Sequence, residues 1–328
     1  MNKAIKFSIG LIFSAIGLYY AFRSFDWQGF ASAFKQINMW YIVVAVMLQL
    51  SAVWFRSLRW KWLLEPFEDI PIKPLYEGTM IGYFGNTILP FRMGELLRAY
   101  VVSNACSTPV SKLFGSIIVD RVLDLLGLVL LTLVLMIFFD LVLISDWIVF
   151  TIITATIIIF TFLVILGKNE PDWTRIQLKY HILQSKLGSK FYSSFTDIIS
   201  GLSLLTKTTK KIRIYSFVVL LWSMYFFSFA FVVKAMSLEL SWPNTGILMI
   251  VLSLVISIPA APGFIGTYHG FSVLFLTEVF GVGMSASQSF AVISHAVVYI
   301  PFVVVGAVFF LRSSMTFSKI KSLEITNS

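Results

Sequence analysis

Long stretches without a charged residue dominate the chain. They cover 7–22, 36–55, 147–167, 214–233, 240–277 and 279–311. A helix of roughly 20 apolar residues is long enough to cross the hydrocarbon core of a bilayer. The pattern therefore predicts an all-α integral membrane protein, a polytopic helical bundle with no separate soluble catalytic domain.

The composition agrees with this prediction and excludes several other classes. Hydrophobic residues make up 58% of the chain and charged residues only 12%, whereas about a quarter of a soluble domain is charged. The net charge is +9, and the basic residues lie between the apolar segments. They therefore indicate membrane topology and contact with anionic lipid headgroups rather than binding to nucleic acid. The single cysteine and three scattered histidines give no disulfide framework or metal site, and no cofactor motif is present.

The Lys and Arg residues concentrate in a subset of the connecting segments. Both termini and segments 56–74, 104–112 and 168–213 hold most of them, and the remaining connections hold few. Because cytoplasmic loops carry the excess of basic residues, these segments are predicted to be cytoplasmic. We expect a multi-pass protein of the cytoplasmic (inner) membrane with both termini inside.

This assignment places the two ends of 75–103 on the same side of the membrane. The uncharged core of that segment, Gly78 to Phe91, is too short to span and has the length of a re-entrant segment. Gly82, Gly85 and Pro90 favour a break in the helix where the chain must turn. The sequence therefore predicts a re-entrant segment at about 75–103.

A similar order of segments returns in the second half with opposite orientation. Here the long apolar stretch 240–277 is broken by glycines and prolines between Pro259 and Gly266. Residues 240–281 form either a re-entrant pair or two full crossings. We interpret the chain as two inverted membrane repeats, a pattern that favours a transport site at the repeat interface; the alternative is a plain bundle with two kinked helices. The predicted parts are 1–139, 140–311 and a cytoplasmic tail, 312–328.

The basic loop 168–213 has a pattern of its own. Apolar residues recur every three or four positions from Ile176 to Leu205, with Lys and Ser between them. This spacing predicts an amphipathic helix. It lies on the cytoplasmic membrane surface or packs beneath the bundle as a connector.

One cluster of charged residues falls within the predicted membrane region. Arg92, Glu95 and Arg98 follow one another at three-residue steps, so they share one face of a helix. Glu95 is predicted to pair with one of these arginines or with Arg121. The cluster either neutralises itself as a buried network or leaves arginines available to bind a phosphate; its other members are Asp120, Arg121 and Asp124.

The second broken segment contains Pro262, Gly263, Gly266 and His269. Backbone interrupted at membrane depth is tolerated only where protein or a watery cavity covers it. His269 is interpreted as a proton-responsive or headgroup-binding residue, or as a hydrogen-bonded structural group.

Three ordered motifs carry a resemblance to a known family. They are Asn86…Leu89-Pro90-x-Arg92-x-Gly94-Glu95-x-x-Arg98, then Asp120-Arg121-x-x-Asp124, and finally Pro262-Gly263-x-x-Gly266. The chain resembles the flippase-like transmembrane family typified by the membrane domain of lysylphosphatidylglycerol synthase, the multiple peptide resistance factor. The resemblance implies a bacterial or archaeal protein that moves lipids between leaflets. This sequence departs from the family pattern at His269, where the family commonly has Glu. The short tail also makes aminoacyl transfer unexpected.

The combined interpretation is a translocase for a phospholipid or a polyprenyl-linked lipid that recognises a phosphate-bearing headgroup. No catalytic residue, metal or cofactor is predicted, the bilayer is a partner, and a homodimer is compatible with the sequence. The alternatives are a membrane enzyme using Glu95, Asp120 or Asp124 as acid or base, and a non-catalytic partner of a separate lipid or glycosyl transferase. The predicted substrate-binding residues are Asn86, Pro90, Arg92, Glu95, Arg98, Asp120, Arg121, Asp124, Pro262, Gly263, Gly266 and His269.

Overall fold

The computed structural model describes residues 14–23, 25–89, 93–138, 146–168, 186–257 and 262–313. These residues form helices and their connections, without a β-strand. The helices are α1 (14–22), α2 (Trp27–Gln36), α3 (Met39–Leu64), α4 (Ile72–Ile88), α5 (Gly94–Ser103), α6 (Val110–Phe138), α7 (Asp146–Lys168), α8 (Lys186–Leu202), α9 (Leu204–Lys207), α10 (Lys211–Ala235), α11 (Trp242–Ser257), α12 (Thr267–Leu274) and α13 (Met284–Arg312).

The predicted all-α membrane class is confirmed. Four of the described helices, α3, α6, α10 and α13, are long and apolar enough to cross a bilayer. Large apolar side chains such as Met47, Ile137 and Ile158 point outward from the bundle, as expected where lipid rather than water is the solvent. The protein is a multi-pass membrane protein.

Two boundaries predicted from the sequence were wrong. The helix expected to end at 55 continues to Leu64, so Arg56 and Arg59 lie inside α3 and not in a connecting segment. A turn of helix can hold these cations because they are buried against carboxylates described below. Residues 27–36, expected to be a connector, form α2, whose first turn is capped by Asp26 accepting a hydrogen bond from the Gly29 amide at 2.9 Å.

The segment 72–103 is a helical hairpin. Helices α4 and α5 run antiparallel, because Gly78 lies against Val102, and Gly82 lies against Arg98 and Gly94. The two ends of the hairpin meet, since the Glu68 carboxylate accepts hydrogen bonds from the Ser107 amide at 3.0 Å and from the Thr108 hydroxyl at 2.9 Å. Whether the hairpin is re-entrant in the bilayer stays a prediction.

The second broken segment joins α11 to α12. After residues 258–261, which lie outside the described part, the chain turns through Gly263 at φ +68° and Gly266 at φ +99°. Only glycine adopts such angles readily. Gly263 lies beside the tip of the first hairpin, with the Thr87 carbonyl oxygen 4.0 Å from the position of a Cβ. The tips of the two broken segments are therefore neighbours.

The centre of the bundle is the pair α3 and α10. The Ser228 hydroxyl donates a hydrogen bond to the Ala45 carbonyl at 3.0 Å, and the Asn38 amide donates to the Ala235 carbonyl at 3.0 Å. Part of the amphipathic helix predicted in 168–213 is present as α8, and residues 169–185 of that segment lie outside the described part. Helix α8 packs closely on α6, where Gly201 lies against Gly115. A Cβ added to Gly201 would lie 2.8 Å from the Gly115 Cα. This part of the loop therefore contacts the bundle.

A buried charge network as candidate functional site

Two carboxylates of α6 are the centre of the candidate site. Asp120 and Asp124 are one helical turn apart, so they project from the same face. The Asp120 side chain is 0% exposed. A buried carboxylate is tolerated only when it is paired and hydrogen-bonded, and both aspartates meet this condition.

Helix α3 supplies the first two partners. The Arg59 Nη2 donates to Asp120 Oδ1 at 2.6 Å and to Asp124 Oδ1 at 2.8 Å. The Arg56 Nη2 donates to Asp124 Oδ2 at 2.6 Å, and its Nε donates to the Tyr225 hydroxyl of α10 at 3.4 Å. Because Arg56 and Arg59 are three residues apart, they reach the two carboxylates from one helical face.

The hairpin and α6 complete the network. Arg98 of α5 donates from Nη1 to Asp120 Oδ2 at 3.2 Å. Arg121 donates from Nη1 to Asp124 Oδ2 at 3.3 Å and also pairs with Glu95. Among the described residues the network contains four guanidinium groups and three carboxylates, which leaves one positive charge in excess.

Arg98 is the least satisfied member of this network. It is 1% exposed, and within the described part of the chain its Nε and Nη2 have no hydrogen-bond partner. Its guanidinium carbon lies 3.9 Å from the centre of the Trp60 ring, an arrangement that stabilises a cation. The Trp60 indole is fixed in turn by a 2.9 Å hydrogen bond to Ser116.

Arg98 lines a narrow cleft between the hairpin and α6 that leaves no room for a water molecule in this conformation. The Asn86 Oδ1 is also buried there and has no partner among the described residues. The site therefore presents the donors of a guanidinium fork, the group that binds a phosphate or carboxylate with defined geometry, and beside them an amide oxygen that can accept a hydrogen bond. The cleft is lined by Thr79, Gly82, Tyr83, Asn86, Glu95, Arg98 and Arg121.

The sequence predicted part of this arrangement. The pairing of Glu95 with an arginine is confirmed, and the partner is Arg121. Arg56 and Arg59 were missed because they were counted as cytoplasmic loop cations. The apolar residues that follow them, Trp60, Trp62, Leu63 and Leu64, were the available signal that the helix continues. Two predicted site residues, Pro90 and Arg92, lie outside the described residues.

The predicted residues of the second broken segment form a separate cluster. His269 is 7% exposed and its ring lies 4.8 Å, centre to centre, from that of His295. The His295 Nε2 is 2.9 Å from the Gly263 carbonyl oxygen. The cluster approaches the first segment where Gly263 lies beside Thr87, while Pro262 and Gly266 form the turn around it.

Metal binding has no support in the described part of the chain, where no group of three or more His, Cys, Asp or Glu side chains is arranged to hold an ion. The carboxylates of the network are instead occupied by arginines. The arrangement is suited to binding an anion and to holding helices together.

Comparison with known proteins gives a family and two relatives. Residues 7–306 match the family described as the lysylphosphatidylglycerol synthase TM region. The chain is 23% identical over 285 residues to a UPF0104 membrane protein of Methanothermobacter thermautotrophicus, which covers 81% of this chain and 83% of the relative. A UPF0104 membrane protein of Methanocaldococcus jannaschii is 31% identical over 90 residues, 26% of this chain and 27% of that one. No solved structure matches significantly.

Proposed function

Because the chain belongs to the family of the lysylphosphatidylglycerol synthase transmembrane region, as its three motifs indicated, we propose that it is a lipid translocase. Its substrate is a phospholipid or polyprenyl-linked lipid whose phosphate-bearing headgroup enters the cleft beside Arg98. The predicted site residues of the first segment bind that headgroup. The second broken segment borders the path that the headgroup follows.

The observation that carries the proposal is the excess positive charge at Arg98. A charge inside a membrane protein is costly unless it is paired, and this guanidinium has one ion pair, to Asp120, and two unused donor groups among the described residues. An anionic headgroup supplies both the missing charge and the missing acceptors. Arg121 borders the same cleft and can share the anion, while the Asn86 Oδ1 can accept a hydrogen bond from a hydroxyl or amine of the headgroup.

The packing of the two halves supports alternating access around this site. The first hairpin is tied at its ends near the Leu64 end of α3, where Glu68 meets Ser107. The residues flanking the second segment, Leu240 and Val282, pack in one apolar cluster with Ile37, at the opposite end of α3. We interpret this as two broken segments that enter from opposite sides, as in inverted-repeat transporters.

The proposed setting is the cytoplasmic membrane with both termini inside. With that orientation the Glu68 end of the first hairpin faces the cytoplasm, so the Arg98 cleft is reached from the inner leaflet. The basic connections support the assignment, although Arg56 and Arg59 no longer count toward it because they are buried.

The enzymatic alternative has less support from the geometry. An acid or base must reach a substrate proton within hydrogen-bond distance, but Asp120 is fully buried and bound by three arginines. Glu95 borders the cleft and is held by Arg121. A role as partner of a separate transferase uses the same lipid site and is not favoured by any further contact.

The test is Arg98→Lys in proteoliposomes containing a fluorescent phosphatidylglycerol, with the transfer rate normalised to correctly folded protein. Lysine keeps the charge but loses the planar fork and the stacking on Trp60. We expect the rate to fall about tenfold or more, since each charge-assisted hydrogen bond contributes roughly 1.5–3 kcal/mol. Arg213→Lys is the matched control, because Arg213 also stacks on a tryptophan, 5.8 Å from the Trp62 ring, but lies on the exposed side of α10.

Full transfer by Arg98→Lys would leave Arg98 as a structural counter-ion and remove the phosphate site. Absence of transfer by the wild-type protein with phosphatidylglycerol, phosphatidylethanolamine and a polyprenyl phosphate would reject the translocase proposal itself.

A further inference from the structure

The second broken segment contains a buried group that the phosphate site does not use. The imidazoles of His269 and His295 are in contact, and the His295 ring also stacks on Tyr299 with 4.1 Å between centres. His269 belongs to α12 and His295 to α13, so the two rings join the broken segment to a spanning helix.

The hydrogen bond of His295 determines which of its ring nitrogens carries the proton. A carbonyl oxygen can only accept, so the Nε2 that lies 2.9 Å from the Gly263 oxygen must donate. In the neutral ring the Nδ1 of His295 then carries a lone pair. His295 can therefore accept a proton without giving up its bond to the broken segment.

The second ring has an unused nitrogen. Among the described residues the Nδ1 of His269 is buried and has no hydrogen-bond partner, a costly state for a polar atom. The pair thus contains one buried, unpartnered nitrogen and one basic nitrogen in rings that are 4.8 Å apart.

The surroundings of the pair are polar but uncharged. From α1 the ring of Phe22 faces His269, and the nearby Arg23 is exposed and lies over Tyr20. From α12 the Tyr268 hydroxyl donates to Ser294 at 3.0 Å, and Glu278 is exposed farther along. At the tip of α4 the Thr87 carbonyl oxygen lies near Gly263. The charged network lies on α3, α5 and α6, and among the described residues no Lys, Arg, Asp or Glu side chain forms an ion pair with either ring.

We propose that His269 and His295 form a proton-binding site that takes up one proton for the two rings. An anion is a poor occupant because no cation faces the pair, and two imidazoles are too few to hold a metal ion. A second proton is opposed by repulsion between two adjacent imidazolium rings. The two histidines therefore titrate as one unit.

Protonation at this site reaches the first broken segment through a short chain of contacts. His295 holds Gly263, and Gly263 lies against Thr87, the neighbour of Asn86 in the phosphate cleft. Protonation of the His269–His295 pair is therefore expected to alter the contact between Gly263 and Thr87, at the tips of the two broken segments. The proton site depends only on these contacts, whereas its use in lipid movement rests on the proposed function.

The experiment uses the small number of histidines. The chain has three, and His181→Gln leaves only the pair. We would record imidazole ¹⁵N shifts of the full chain in phosphatidylcholine nanodiscs from about pH 8 to pH 4, the range around the ordinary histidine pKa. The Thr87 methyl, assigned with Thr87→Ser, is observed in the same samples. No lipid transport is needed, so the result is independent of the translocase test.

We expect the ¹⁵N shifts of both rings to change with pH around one common midpoint, with an uptake of one proton for the pair. The Thr87 methyl shift should change around the same midpoint. His295→Gln and His269→Gln should each abolish the common midpoint, and wild type with His181 present should show it unchanged. Two independent titrations, or no titration in this range, would overturn the proton site. A Thr87 methyl that does not move would overturn the link between the two segments.

Discussion

The two broken segments are stabilised by different interactions. The α4–α5 hairpin is attached to the bundle by ion pairs, through Arg98 to Asp120 and through Glu95 to Arg121. The α11–α12 segment has no such pair among its described residues, and glycine backbone carries its contacts. Gly266 and Gly270 bring α12 against α1 at Gly17, where an added Cβ would lie 2.8 Å from backbone atoms.

The difference follows from what each segment must satisfy. Charges in a membrane interior require partners of opposite sign, so the first segment is fixed by ion pairs, in a network of described residues that has one positive charge in excess. A broken backbone requires close cover by protein, so the second segment is fixed by close approach. We therefore expect neutral substitution of a charge to be most harmful in the first segment and addition of a Cβ to be most harmful in the second.

The largest effect is expected for Asp120→Asn in the first segment. The substitution removes the carboxylate that pairs with Arg98 and one of the two that pair with Arg59, and removing one partner of a buried pair typically costs about 3–5 kcal/mol. The thermal unfolding temperature in detergent, followed by size-exclusion chromatography, should fall strongly.

Asp69→Asn is the matched control for that measurement. Asp69 also forms an ion pair, 2.9 Å from the Lys61 Nζ, but its side chain is 84% exposed. An exposed pair contributes at most about 1 kcal/mol. Equal stability of Asp120→Asn and the wild type would mean that the first segment does not depend on charge balance.

A smaller effect is expected for Gly266→Ala in the second segment. Alanine would have to adopt φ +99°, and its Cβ would overlap the Ser14 carbonyl oxygen of α1 and lie 2.8 Å from the Ser14 Cα. Strained backbone of this kind costs about 1–3 kcal/mol, so the unfolding temperature should fall less than for Asp120→Asn.

Gly283→Ala tests whether this loss is due to backbone geometry. Gly283 has φ −56° and nothing within 4 Å of an added Cβ, so the change should cost less than about 1 kcal/mol, from weaker capping of α13. If Gly266→Ala were no more harmful than Gly283→Ala, the second segment would not rely on close glycine contacts.

The sequence predicted more of the contacts in the first segment than in the second. The glycines and the three-residue spacing of Glu95 and Arg98 are local patterns, and they predicted a broken segment with a paired glutamate. The partner that the structure shows is Arg121, 26 positions after Glu95 on α6. The partners Arg56 and Arg59 could not be assigned, since they lie about 60 positions before Asp120 and Asp124. Pairing over such a separation depends on how α3 packs on α6, which no local spacing encodes.

The second segment was predicted less fully for a related reason. Pro262, Gly263 and Gly266 indicated a break, and His269 was recognised as a titratable residue within it. Its neighbour His295 lies 26 residues later on a helix with no unusual pattern. Only the packing of α12 on α13 brings the two rings together, so the sequence predicted a lone histidine where the structure has a pair.

The smallest effect is expected at the exposed ends of the first hairpin, where the comparison can be refined by pH. Hydrogen bonds from Ser107, then Thr108, lower the pKa of Glu68 below its ordinary value. A carboxylate with a lowered folded-state pKa contributes stability above its unfolded pKa, and that contribution is lost as the pH falls through the folded value. Glu68→Gln should therefore lower the unfolding temperature slightly at pH 7, and the difference from wild type should vanish below about pH 4.

Glu239→Gln, at an exposed residue beside the second segment, is the control and should show no such pH-dependent difference. A Glu68→Gln difference that persists unchanged at low pH would mean that the hairpin ends are held by packing, as in the second segment, and not by the ionised carboxylate.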